Sequence, residues 1–107
     1  MVRRLPYCLV YDTEISRQLR SIERKYHALI RANIEDQLTY EPGVETNNRK
    51  PLDRPVTFGA RWELRFGPNN YFRVYYQIRE PEREVHILAI GVKERERVRI
   101  GGEEYDL

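Results

Sequence analysis

The chain has 107 residues, of which 40% are hydrophobic and 34% charged, with a formal net charge of +2. That length suits one domain with a single core, and that balance excludes both a disordered chain and a membrane-embedded one. Sixteen of the nineteen basic residues are arginine and eight further residues are tyrosine, so most cationic side chains are planar forks suited to gripping phosphate and stacking on bases.

Met1-Val2-Arg3-Arg4-Leu5-Pro6 is basic, but no long apolar segment follows it. It is therefore not expected to be a secretory signal, and no apolar run approaches the ~20 residues of a membrane span. A cytoplasmic location without membrane contact is expected. Tyr7 to Tyr11 reads as a short strand. Cys8 within it is the only cysteine, which excludes an intrachain disulfide and predicts a buried thiol. Asp12 is placed as an N-cap, with Glu14 in the first turn.

Ile15, Leu19, Ile22, Tyr26, Leu29, Ile30, Ile34 and Leu38 then recur at spacings of three and four. Residues 13–39 are therefore predicted to be amphipathic helix, one long or two joined near Ser21, with Arg17, Arg20, Arg24, Arg31 and Glu35 turned outward. Glu41-Pro42-Gly43 ends it. Residues 41–60 have no sustained period and read as a long loop with a basic centre at Arg49-Lys50, the kind of loop that is often functional.

Trp62, Leu64 and Phe66 alternate with Arg61, Glu63 and Arg65; Phe72, Val74, Tyr76 and Ile78 alternate with Tyr71, Arg73, Tyr75 and Gln77. Two half-buried strands follow from that period, joined by the turn residues Gly67-Pro68-Asn69-Asn70. Keeping the apolar sides together pairs Phe66 with Phe72, Leu64 with Val74 and Trp62 with Tyr76. Arg65 then faces Arg73, and Glu63 faces Tyr75. Opposed like charges repel, so the register invites an anion between the arginines. It also predicts that losing Arg73 leaves the fold intact or slightly more stable. The competing reading pairs Arg73 with Glu63 as a scaffold contact. After a polar turn at Glu80-Pro81-Glu82-Arg83, residues 85–90 are apolar almost throughout, as in a central strand covered on both faces. Residues 92–99 are charged and extended or helical, and 101–107 form an acidic tail. Segregated helices and a meander of strands predict one α+β domain over residues 1–107.

There is no glycine-rich phosphate loop and no serine elbow. His27 and His86 are too far apart for ligand spacing, and His86 is expected to be a packing residue. No metal or cofactor is expected. What remains is a sheet face carrying Arg61, Arg65 and Arg73 with Tyr71, Tyr75 and Glu63. Arginines that take phosphates, interleaved with tyrosines that stack on bases, suit single-stranded RNA. RNA also brings its own nucleophile, the 2′-hydroxyl. A proton acceptor such as Glu63 and nearby cations can therefore cleave it.

Asn48-Arg49-Lys50-Pro51-Leu52, Trp62-Glu63-Leu64-Arg65, Phe72-Arg73-Val74-Tyr75-Tyr76-Gln77, and Ile90-Gly91-Val92-Lys93 followed by Arg95 together resemble the RelE/ParE superfamily of bacterial toxins. The resemblance implies an N-terminal strand, then a two-helix hairpin packed on a small twisted antiparallel sheet with a concave cationic face. It implies a toxin of a type II toxin–antitoxin system with a cognate antitoxin partner. The activity would be RelE-like endoribonuclease action on mRNA at the ribosome, arresting translation, or ParE-like poisoning of DNA gyrase, or the chain would be a degenerate toxin that only binds its antitoxin. It assigns Arg73 to the scissile phosphate, Arg65 to a second phosphate contact, and Arg95, with Lys93 as rival, to the leaving group or a phosphate. Tyr105 would stack on a base. Glu63 stands where ribosome-dependent members have lysine, which makes it the general base or leaves cleavage weak or absent. Arg49, Lys50 and Arg61, with Tyr71, Tyr75 and Lys93, complete the expected RNA contacts.

Overall fold

The computed structural model describes residues 4–54, 56 and 58–107; Met1 to Arg3 of the basic N-terminal stretch, and Pro55 and Thr57 of the long loop, lie outside them. Among the described residues seven strands make one sheet: β1 (Cys8–Tyr11), β2 (Arg49–Pro51), β3 (Trp62–Phe66), β4 (Phe72–Arg79), β5 (Glu84–Glu94), β6 (Arg97–Ile100) and β7 (Glu103–Tyr105). The order is β2-β3-β4-β5-β6-β7, all antiparallel, and β1 adds to β5 in parallel. A parallel neighbour needs a long crossover, and the two helices between β1 and β2 begin it. The result is an α+β domain, as expected, with one parallel pair in an otherwise antiparallel sheet.

The helical stretch is two helices, α1 (Ile15–Leu19) and α2 (His27–Leu38), with a single 3₁₀ turn at Arg24–Tyr26 between them. A break exposes carbonyls that a continuous helix would bond. Here His27 answers the break, because its Nε2–H donates to both Leu19 O and Ile22 O, at 2.8 Å each. Asp12 caps the turn leading into α1, its carboxylate accepting from Glu14 N at 3.0 Å. The apolar stripe packs inward as predicted except for Leu29, which is exposed. Cys8 is also exposed, since β1 is a marginal strand at the sheet's rim. The expectation of a buried thiol is wrong.

The register of β3 and β4 is the one their apolar alternation demands, from Trp62 opposite Tyr76 to Phe66 opposite Phe72. Gly67 turns the chain at φ 84°, where a Cβ would lie 2.7 Å from the Phe72 ring, so only glycine fits. Asn69 and Asn70 follow at φ 53°, which asparagine tolerates. One face of the sheet carries Leu64, Phe66, Phe72, Val74, Tyr76, Val85, Ile87 and Ile90, packed against Ile15, Ile22, Ile30, Ile34 and Leu38. This is the main core.

Beyond β4, strand β5 is bordered by β1 over its first residues and by β6 over its last, leaving Leu88 to Ile90 between them. Ile90 N would be a buried orphan there. Gln18, itself buried on α1, accepts from it at 2.9 Å. Two segments differ from the sequence reading: the long loop contains β2, an edge strand on β3, and the acidic tail contains β7, paired with β6. Of the two alternatives for the charged stretch 92–99 the extended one holds, as the end of β5, a two-residue turn and the start of β6. Charged residues mask short edge strands in sequence because one of their faces points to water.

Candidate functional site

The face of the sheet opposite the helices is built in rows. Lys50, Glu63, Tyr75 and Ala89 stand side by side across β2, β3, β4 and β5. Arg65, Arg73, Gly91 and Ile100 make the next row, and Lys93, Val98 and Tyr105 the one after. Half of this face is apolar. Ala60, Tyr75, Ala89, Val98 and Ile100 form a second buried cluster, with Leu52, Val56, Phe58 and Tyr105 laid over it.

That cluster corrects one expectation. Tyr75 is completely buried, with Phe58 edge-on at 5.6 Å, so its ring does not present a stacking surface. Tyr105 packs edge-on against the same Phe58, at 6.3 Å, and stays half-buried. Nothing in a period-2 pattern distinguishes a tyrosine facing water from one roofed by a distant loop. Arg49 is corrected in the same way. Its guanidinium is buried and donates to Val44 O at 2.9 Å and to Gln37 O and Oε1 at 2.9 and 2.7 Å, with Glu41 at 3.7 Å. It ties the C-terminal end of α2 to β2 and faces no solvent. Lys50 stays half-exposed, 3.8 Å from Glu45, and Arg61 is exposed at the start of β3.

Arg65 and Arg73 do face each other, and an anion does lie between them, supplied by the chain itself. Arg65 Nε donates to Glu63 Oε1 at 2.5 Å, and Arg73 Nη1 to Glu63 Oε2 at 3.3 Å. Glu63 and Arg73 are 5% and 7% exposed, so the pair is shielded from salt. Arg73 Nε also donates to Asn70 O at 2.8 Å, which fixes the guanidinium from the turn side. Arg73 is therefore part of the scaffold as well as of the face: the competing reading, Arg73 paired with Glu63, holds, and the expectation of two arginines left to repel each other is overturned. The Tyr75 hydroxyl beside Glu63 has no hydrogen-bond partner among the described residues. Burial first, and then the Glu63 charge, push its pKa well above the ordinary tyrosine value.

Around the β3–β4 turn the face opens into a cleft of about 410 Å³, lined by Pro68, Asn69, Tyr71, Arg73, Lys93 and Arg95. Three cations and no carboxylate line it. Among the described residues neither Lys93 nor Arg95 has an acidic partner within ion-pair distance. Arg95 sits in the β5–β6 turn at φ 57°, a conformation disfavoured for a side-chain-bearing residue, and it lines the cleft as an exposed residue. Tyr71 leans on Phe72 and donates to Glu94 at 3.3 Å; burial first, and then the Glu94 charge, raise its pKa, so the phenol keeps its proton. Sequence reasoning named four of these lining residues and missed Pro68 and Asn69, which it treated only as a turn.

A larger groove of about 800 Å³ lies elsewhere, between α1, α2 and β1, lined mainly by Leu9, Ile15, Leu19, Ile30 and Ile34. It has no cluster of cations. Among the described residues there is no group of three or more His, Cys, Asp or Glu side chains placed to hold a metal ion, and no helix is long and apolar enough to cross a membrane.

No protein-family model and no curated protein matches the chain. Among solved structures, it is similar to a chain of the toxin–antitoxin complex RelBE2 from Mycobacterium tuberculosis. The TM-score is 0.64 at 23% identity, over 83% of this chain and all of that one. The fold expected from the sequence motifs is thereby borne out.

Proposed function

We propose that the chain is the toxin of a type II toxin–antitoxin pair of the RelE/ParE kind, acting as an endoribonuclease on mRNA at the ribosome to arrest translation. The observation that carries this reading is the cleft where Arg73, Lys93 and Arg95 converge with no carboxylate among its lining residues, Arg73 meeting Glu63 on its other side. Its fold, shared with a chain of a toxin–antitoxin complex, supports it. In such a cleft the 2′-oxygen attacks the adjacent phosphorus, the bond to the 5′-oxygen breaks, and a 2′,3′-cyclic phosphate forms. Arg73 and Lys93 stabilise the extra charge on the phosphorane, where preorganised donors have their largest effect. Glu63 takes the 2′-hydroxyl proton once a phosphate has relieved it of its arginines. The leaving 5′-oxygen takes its proton from the protonated Tyr71 phenol, or from water while Arg95 stabilises its charge. Arg61 and Lys50 extend the cationic track for the flanking backbone.

The partner is an antitoxin with an acidic segment that crosses the arginine face and an apolar helix that lies in the groove between α1, α2 and β1. Both would act in the cytoplasm.

A second reading is a ParE-like inhibitor that binds DNA gyrase without nuclease chemistry. It is favoured by one observation, that both oxygens of Glu63 are already engaged by guanidinium groups. Inducing the protein in cells and following translation and DNA replication separately tests both. Early translational arrest with cut mRNA supports the first reading. Replication arrest with broken DNA supports the second and sinks the first, and unimpaired growth with the folded protein present sinks both.

A further inference from the structure

We infer that the notch between Arg65 and Arg73 is a phosphate-binding subsite kept shut by Glu63, which occupies it as an internal substitute and is displaced when a phosphodiester binds. The inference deepens the nuclease reading, resting on its assignment of the face to RNA.

Three observations carry it. The first is geometric. A carboxylate bridging two guanidinium groups, one oxygen to each, uses the same donors that two oxygens of a phosphate would use. The second is an asymmetry in how the two arginines are held. Arg73 is buried and tethered to Asn70 O, so it would keep its position if Glu63 left. Arg65 is about a third exposed at its side chain and makes no other side-chain bond among the described residues, so it can follow an incoming anion. The third is the Tyr75 phenol. It stands directly across the β3–β4 ladder from Glu63, is fully buried, and makes no hydrogen bond among the described residues.

A buried hydroxyl left unbonded is costly, and here the nearest anionic acceptor is the side chain that holds the notch. A Glu63 side chain released by the arginines would gain the phenol as donor for one oxygen, keeping the other open. Two positions for one carboxylate follow: bridging the arginines in the free protein, and bonded to Tyr75 when a phosphate has taken its place. The cleft of Arg73, Lys93 and Arg95 adjoins the notch through Arg73, which belongs to both. An RNA backbone entering over Lys93 and Arg95 would thus bring its next phosphate to the closed notch, and a short or weakly held anion would fail to open it.

The test is equilibrium binding of inorganic phosphate, and of a short single-stranded RNA of non-cleavable 2′-deoxy or 2′-methoxy type, to wild type, Glu63→Gln and Tyr75→Phe. Glu63→Gln removes the competing charge and should bind phosphate at least roughly tenfold more tightly, the scale of close charge-pair coupling. Tyr75→Phe removes the alternative position and should bind more weakly than wild type by several-fold, while melting no lower. Phosphate should raise the melting temperature of Glu63→Gln more than that of wild type. Affinity in Glu63→Gln equal to wild type, or weaker, overturns the inference, because Glu63 would then be a fixed strut that orders the arginines. If Glu63→Gln does not fold, Glu63→Asp decides. Its carboxylate is a methylene too short to bridge both arginines, so tighter phosphate binding supports a closed notch and unchanged or weaker binding refutes it. Tighter phosphate binding in Glu63→Gln from a chain whose wild type cuts no RNA would sink the nuclease reading and leave the notch standing.

Discussion

Arg73 holds two jobs that ordinarily conflict, and its substitution separates them. Its guanidinium is buried against Glu63 and Asn70, so Arg73→Ala leaves a buried carboxylate with one partner in place of two. We expect a loss of about 2 kcal/mol, read as a lower urea midpoint. In Arg73→Ala with Glu63→Ala the two losses should not add, because the second change removes the charge that the first orphaned. Additive losses would show that the pair is not coupled. The tyrosines on either side of the same strand predict a pH effect. Tyr75 and Tyr76 have phenols pushed up mainly by burial, so the native state holds protons that the unfolded chain releases above its ordinary value of about 10. Stability is therefore full below pH 10 and falls above it, by up to about 1.4 kcal/mol per pH unit for each phenol. Urea melts between pH 8 and 11.5 should show that slope reduced in Tyr75→Phe; an unchanged slope would refute the assignment. The pairing of Arg65 with Arg73 was legible in sequence because the period of two fixes who faces whom. Which anion sits between them stayed open between an outside phosphate and Glu63, since Glu63 reaches both arginines only through its side-chain conformation.

The segment from Glu41 to Ala60 shows why the second face was harder to read than the first. The helix-side core announces itself through regular spacing of Ile, Leu and aromatic residues. The other face is closed by Leu52, Val56 and Phe58 from an aperiodic stretch, which carries no local signal of what it covers. Arg49 was misplaced for the same reason: next to Lys50 it looks like half of a basic patch, yet the short strand β2 turns successive side chains to opposite faces. Arg49 goes to the helix side, where it bonds the Gln37 carbonyl at the end of α2 and the Val44 carbonyl of the loop that follows. Carbonyls at a helix end lack intrahelical donors and favour a cation. Arg49→Met keeps the packed stem and removes the bonds. It should cost about 2–3 kcal/mol and leave RNA affinity of the folded fraction unchanged, as judged by binding below the melting transition. A large loss of affinity with no loss of stability would restore Arg49 to the RNA face.

At the scale of the whole molecule, a net charge of +2 gives little reason to bind a polyanion, so the placement of cations has to supply the attraction. The two arrangements can be compared at equal net charge. Lys93 and Arg95 line the cleft without acidic partners among the described residues, whereas Arg31 lies on α2, over the other face of the sheet, and pairs with Glu35. Arg79 ends β4, six residues from Arg73, or roughly 20 Å along a strand. Removing Lys93 and Arg95 together, or Arg31 and Arg79 together, takes the same two charges from the chain. Each phosphate contact to single-stranded nucleic acid contributes about 0.7 to the slope of log affinity against log salt. The first pair of alanine substitutions should therefore flatten that slope by about 1.4, and the second should leave it nearly unchanged. Titrating a non-cleavable single-stranded RNA from low to moderate salt measures both. Equal flattening in the two variants would mean that RNA senses only the overall charge, and the cleft would lose its claim to be the site. A flattening confined to the first pair would place the backbone of the RNA along Lys93 and Arg95, one step from the notch that Glu63 fills.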